Sequence, residues 1–234
     1  MLTDIHAVVF DLDGTLLDRR QSFLRFARNQ WQRFPQFLGT VDQELYVRTL
    51  ITLDRDGYGP RRELFTGTIG EFELPADVAA TLLNDYRATF PSACLLFPEA
   101  ATTLATLRVS GLKLGLITNG SVRMQRRKLE CLALAPMFDT ILISEAEGIS
   151  KPDHQIFHRA LERLNVDPAR SVFVGDHPDV DIAGARGAGM RAIWRRDPGV
   201  SQAVEADAVV DDLGELVTLL GLTGSHPPDA TTGV

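Results

Sequence analysis

Apolar residues along this chain fall into two rhythms. Short apolar runs recur at Ile5–Phe10, Leu112–Thr118, Thr140–Ser144, Ser171–Gly175 and Arg191–Trp194, rich in Val, Ile and Leu and too short for helices. Each predicts a buried strand. Between them the apolar positions take helical spacing. Residues 152–165 open with Pro152 and an acidic first turn, and set Ile156, Phe157, Ala160, Leu161 and Leu164 on one face. Residues 98–109 and 121–132 read similarly, the latter with Ser121 as N-cap, and Asp211–Leu220 predicts a closing helix. Strand–helix alternation of this kind predicts an α/β fold built on a doubly wound parallel sheet.

The stretch from Leu17 to Ala93 breaks the rhythm. It offers helix candidates at Ser22–Phe34, Val41–Leu53 and Asp77–Thr89 and no convincing strand. It reads as a helical cap domain, residues 17–93, inserted into a core domain made of residues 1–16 and 94–222. Residues 223–234 are Pro-, Gly- and Thr-rich with almost no apolar content, which predicts a disordered tail. A length of 234 residues suits one main domain with an insertion.

Charge and cysteine usage narrow the partners. A net charge of -7 argues against nucleic-acid and anionic-membrane partners. It leaves room for a small anionic substrate at a locally positive site. Cys94 and Cys131 are far apart and sit in apolar surroundings. They read as buried thiols in a reducing compartment. With no basic leader before an apolar segment, and no apolar run long enough to span a membrane, a cytoplasmic location is expected. The chain is expected to be a monomer or a homodimer.

Four sequence features carry chemistry. In Val8-Val9-Phe10-Asp11-Leu12-Asp13-Gly14-Thr15 an apolar strand ends on two carboxylates one residue apart. Ligands of open α/β sheets bind beyond the carboxyl ends of strands, and side chains two apart project the same way. A solvated acidic turn would explain this motif alone. However, Val172-Phe173-Val174-Gly175-Asp176-His177-Pro178-Asp179-Val180-Asp181 is a second strand ending in acids. Adjacent unpaired acids repel. A hard divalent cation resolves the repulsion, and oxygen ligands beside a substrate phosphate suit Mg²⁺. Third, Leu116-Ile117-Thr118-Asn119-Gly120-Ser121 ends a strand in a hydroxyl and enters a helix N-terminus, a phosphate-binding arrangement. Fourth, Lys151, one of only three lysines, sits just before a helix. Its compact charge suits one phosphate oxygen and one carboxylate together.

These four elements, in this order after these strands, resemble the haloacid dehalogenase-like (HAD) hydrolase superfamily, over nearly the whole chain. The resemblance implies a Rossmann-like core with the first strand placed centrally, and a helical cap of the first subclass. It implies a Mg²⁺-dependent phosphohydrolase that cleaves a small-molecule phosphate monoester through an aspartyl-phosphate. Asp11 is then the nucleophile and Asp13 the general acid/base. Asp11, the backbone carbonyl of Asp13, and Asp176 hold Mg²⁺. Thr118 and Lys151 bind the transferred phosphoryl group, with Asn119 in the same phosphate-binding loop. Asp181 orients the metal's water shell or Lys151 from behind.

Subtypes separate within the resemblance. Dehalogenases of the family lack the second acid, and Asp13 is present here. Phosphonatases use a cap lysine, and residues 17–93 contain none. A phosphomutase remains an alternative, as does a receiver-type signalling module that holds a phospho-aspartate without turnover. Chain length, the cap and the Asp13-Gly14-Thr15 triplet favour the enzyme, acting on a small phosphorylated metabolite. Arg61 and Arg62, in the Gly- and Pro-containing stretch Asp54–Arg62 between two cap helices, are candidates for substrate specificity. A solvated turn whose arginines pair with nearby aspartates is the plainer reading there. His154 and His158, four apart on a helix, lack an evident third metal ligand. His177 either shapes its loop or lines the pocket. The basic run Arg123–Lys128 reads as a solvated helix face.

Overall fold

The computed structural model describes residues 2–57, 59–196 and 203–222, so the expected disordered tail and Tyr58 lie outside the described residues. The strands are β1 (Ala7–Phe10), β2 (Lys113–Thr118), β3 (Thr140–Ile143), β4 (Ser171–Gly175), β5 (Arg191–Arg195) and β6 (Ala208–Val210). They form one sheet in the order β3-β2-β1-β4-β5-β6. Every pairing is parallel. The chain therefore runs outward from β1 to β3, returns to β4 beside β1, and runs outward again. The strand order reverses between β1 and β4, where such sheets open a crevice beyond the strand ends.

Parallel strands must bury both faces, and these do. Val8 and Phe10 on one face of β1, and Ala7 and Val9 on the other, have no exposed surface. One face packs Ala7, Val9, Ile117, Leu142 and Phe173 against Ile156, Phe157, Ala160, Leu161 and Leu164. Those last five are the helical face predicted for residues 152–165. The helix itself spans His154–Leu164, with Asp153 as the side-chain N-cap and Pro152 outside it.

The chain divides into two compact units. One is Met1–Leu16, Leu96–Val122 and Leu134–Val234, and it contains the sheet; the other is Leu17–Leu95 with Arg123–Ala133. The second unit is helical: Arg19–Arg33, Pro35–Leu38, Gln43–Asp54, Arg61–Glu71 and Val78–Ala93. Its core holds Phe23, Phe26, Phe65, Tyr86 and Phe90, with ring centroids of neighbouring pairs between 5.0 and 6.5 Å apart. Buried Gln30 is saturated there. It donates to the Leu82 carbonyl at 2.9 Å and to Asp85 at 2.8 Å, and accepts from the Tyr46 hydroxyl at 2.8 Å.

Several expectations change. The stretch expected as a loop is helical at both ends. Helix Gln43–Asp54 passes into a 3-10 turn, Arg55–Gly57, and Arg61 and Arg62 begin the next helix. Arg61 pairs with buried Asp54, donates to the Gly57 carbonyl at 2.7 Å and lies over the Tyr86 ring. Arg19 pairs with the same carboxylate at 2.6 Å. A carboxylate removed from water draws in cationic partners, and Asp54 holds both arginines. Arg62 is exposed. Lys128 is buried over the Phe90 ring, not solvated, and Cys131 is exposed, not buried. The closing helix is only Glu215–Leu219, with β6 ahead of it where no strand was expected. Among the described residues, no helix is long and apolar enough to cross a membrane.

Candidate active site

Register carries the acids to one place. Phe10, the last residue of β1, pairs with Leu116 of β2 and Val174 of β4, so the three strands end within two residues of one another. Asp11 is the first residue beyond β1, its amide donating to the Val174 carbonyl at 2.9 Å. The chain then turns back, the Leu16 amide donating to the Leu12 carbonyl at 3.1 Å. Gly14 makes this turn possible in two ways. Its φ is +90°, and an added Cβ would stand on the carboxylate of Asp176. Buried Thr15 donates its hydroxyl to Asp176 Oδ1 at 3.4 Å. Half-buried Asp13 lies on the same turn.

Lys151 ties the centre together. Its Nζ lies 2.5 Å from Asp11 Oδ1 and 2.6 Å from Asp181 Oδ1, and all three residues are buried. The other Asp181 oxygen accepts from the His177 amide at 3.1 Å. Both oxygens of Asp181 are therefore engaged. Lys151 is held in turn by Asn119, whose side chain donates to the Lys151 carbonyl and accepts from its amide, both at 3.0 Å. Thr118 ends β2 and is buried; Asn119 is exposed. The loop that follows is tied down by Ser144, whose hydroxyl accepts from the Gly120 amide at 2.9 Å, and by Glu145, which accepts from the Val122 amide at 2.6 Å. These two anchors escaped the sequence reading because nothing local marks them; they lie a strand away.

Charge is concentrated here. Asp11, Asp176 and Asp181 each offer a carboxylate oxygen, all within 4.8 Å of one another. Burial pushes the Asp11 carboxyl up from 3.8 to about 7; Lys151 opposes this, while Asp181 and Asp13 add to it. Burial likewise raises Asp176 well above the usual carboxylate range, with Asp11 and Asp181 contributing. For Lys151, burial works against the charged form, but Asp11 and Asp181 outweigh it and hold the ammonium above its ordinary range. One lysine beside crowded acids leaves a negative surplus of hard oxygen donors. That donor chemistry fits a small divalent cation such as Mg²⁺.

The remaining candidates separate. His177 shapes its loop: its Nδ1 accepts from the Asp179 and Val180 amides, each at 3.2 Å. His154 lies against Gly187, where an added Cβ would meet its ring. His154 and His158 both sit on an exposed helix face. Arg61 and Arg62 lie in the helical unit. The structure therefore brings together Asp11, Asp176, Asp181 and Lys151, with Thr118, Asn119 and Asp13 on the strand ends and turns around them.

The family model described as haloacid dehalogenase-like hydrolase matches residues 5–189. This chain belongs to that family. The glyceraldehyde 3-phosphate phosphatase of Methanothermobacter thermautotrophicus is 32% identical over 230 residues, covering 92% of this chain and 100% of that protein. The phosphoserine phosphatase of Thermus thermophilus is 48% identical over 133 residues, covering 57% of this chain and 51% of that one. Among solved structures, the putative HAD-hydrolase YfnB from Bacillus subtilis, bound to magnesium, matches with a TM-score of 0.75 at 25% identity. It covers 92% of this chain and 98% of its own.

Proposed function

We propose that this phosphoric monoester hydrolase of the HAD family works through a covalent phosphoryl-Asp11 and requires Mg²⁺. The observation that carries the reading is the buried contact of Lys151 with Asp11 at the switch point of the sheet. Asp11 is aimed at the crevice as nucleophile, and Lys151 holds its carboxylate in place while offering charge to a phosphoryl oxygen. Asp13 donates a proton to the leaving oxygen. It then takes one from the water that hydrolyses the intermediate, work worth about 10²–10⁴-fold for a positioned acid–base group. Thr118 contributes a hydroxyl to the phosphoryl group. Asn119 acts by fixing the Lys151 backbone, and Asp181 by orienting its ammonium.

Asp11, the Asp13 carbonyl and Asp176 would hold Mg²⁺; when bound it neutralises the charge that a carboxylate and a phosphate bring together. Asp181 is left out of that set because both of its oxygens are engaged. In this reading the unit Leu17–Leu95 is the cap of the family. The substrate is a small phosphorylated metabolite, in keeping with relatives named for glyceraldehyde 3-phosphate and phosphoserine. Within the cap Arg61 is a packing residue, and exposed Arg62 is the one that stays available to a substrate.

Phosphate release from an aryl phosphate, followed by a panel of triose phosphates, phosphoserine and other small monoesters, tests this. Mg²⁺-dependent turnover with free phosphate as product is expected. Transfer of the phosphoryl group between positions of a sugar, without net release, would mark a mutase instead.

A further inference from the structure

The end of β5 reaches the two acid-bearing turns with two consecutive side chains. Trp194 donates its indole N–H to the Asp176 carbonyl at 2.8 Å. Arg195 donates from Nη1 to the Gly14 carbonyl at 3.0 Å. Its guanidinium carbon lies 3.5 Å from the centre of the Phe97 ring, a cation–π contact. β5 stands two strands from β1, with β4 between them, a lateral span of about 10 Å. Arg195 thus passes the loop after β4 to reach the loop after β1. The two bonded carbonyls belong to the two turns that carry the acids. Gly14 is already pressed against the Asp176 carboxylate, and Thr15 bonds to it.

We infer that Trp194 and Arg195 are positioning residues that lock the turn after β1 to the turn after β4, and so set the spacing of the carboxylates that take Mg²⁺. Asp11 and Asp176 repel each other; the Asp11 amide joins the Val174 carbonyl and Lys151 joins Asp11 to Asp181, while the turn after β1 meets the Asp176 carboxylate itself through a weak 3.4 Å bond from Thr15. The brace adds restraint from outside the cluster. A guanidinium suits the task because it stays charged and its bonds to carbonyls are charge-assisted. The inference rests on the proposed metal role of Asp11 and Asp176.

The test is calorimetric titration of Mg²⁺ into the metal-free protein without substrate, beside steady-state kinetics. Arg195→Met keeps the stem and removes the donor. Trp194→Phe keeps the ring and removes the N–H, and serves as the second variant should the first fail to fold. Outer-shell partners of metal ligands typically contribute ten-fold or more. Each folded variant should therefore bind Mg²⁺ about ten-fold more weakly and lose kcat, with KM at saturating Mg²⁺ little changed. Arg195→Lys should recover part of the affinity. Wild-type Mg²⁺ affinity in a folded Arg195→Met or Trp194→Phe would overturn the inference. Because the titration involves no turnover, it reads the brace even if Asp11→Asn shows the covalent reading to be wrong. Absence of any Mg²⁺ binding in the wild type would refute both.

Discussion

The ammonium of Lys151 bridges Asp11 and Asp181, 2.5 Å from the first and 2.6 Å from the second. Residues 140 and 30 positions away in sequence are thereby held on one charge. The bridge divides the acids into two groups. Asp181 meets Lys151 with one oxygen and the His177 amide with the other, whereas Asp11 meets Lys151 through Oδ1 and Asp176 lies beside them.

The metal requirement follows from the surplus of negative charge. Chelation with EDTA should abolish turnover and Mg²⁺ should restore it. Ca²⁺ should not, because its larger and looser coordination misplaces Asp11 relative to phosphorus. Full activity in chelator would remove Mg²⁺ from the account.

Stability of the metal-free protein should depend on pH through Asp11. Its carboxyl sits at about 7 in the folded chain, against an ordinary 3.8. Across that window the native state holds a proton that the unfolded chain has released, so this group's contribution to stability falls as pH rises. Asp11→Asn cannot titrate. Its melting temperature in EDTA should therefore gain on the wild type between about pH 4 and pH 7. Parallel curves across that range would contradict the buried, raised carboxyl.

Asp13 should matter in proportion to the leaving group. Asp13→Asn should slow phosphorylation by alkyl phosphates far more than by aryl phosphates, whose leaving oxygen needs little protonation. Single-turnover rates would show it. Equal losses on the two substrates would count against the acid role.

The two cap arginines should part company. Arg61→Ala takes a partner from buried Asp54 and should lower stability by about 1.5–3 kcal/mol, the usual worth of a hydrogen bond to a charged group. Arg62→Ala, on the exposed side, should change it by less than about 0.5 kcal/mol. Denaturant melts of both variants decide the matter; the reverse ranking would return Arg61 to the substrate.

The strands and the four motifs were legible because their marks are local: an apolar run, then an acid, hydroxyl or lysine at its end. Helix Arg61–Glu71 was not. Gly67 and Gly70 weaken its helical propensity, and only burial of Leu64, Phe65 and Thr68 secures it. The short β6 carries too few residues to announce itself. Lys128 and Cys131 were misjudged because a basic or apolar neighbourhood in sequence does not say which helix face is covered. The two bonds that the Asn119 amide makes with the Lys151 backbone, 32 positions away, could not be read from its strand-end position. Trp194 showed only as part of a strand and Arg195 not at all, since their bonds reach loops one and two strands away.

The covalent intermediate is tested most directly by trapping it. Asp13→Asn mixed with an aryl phosphate and Mg²⁺ should still phosphorylate Asp11 but hydrolyse the product slowly. Rapid quenching, borohydride reduction and peptide mass spectrometry should then find homoserine in place of Asp11 and no other modified carboxylate. Continued release of aryl alcohol with Asp11 unmodified at every quench time, or inversion of configuration at a chiral phosphorus, would contradict the account.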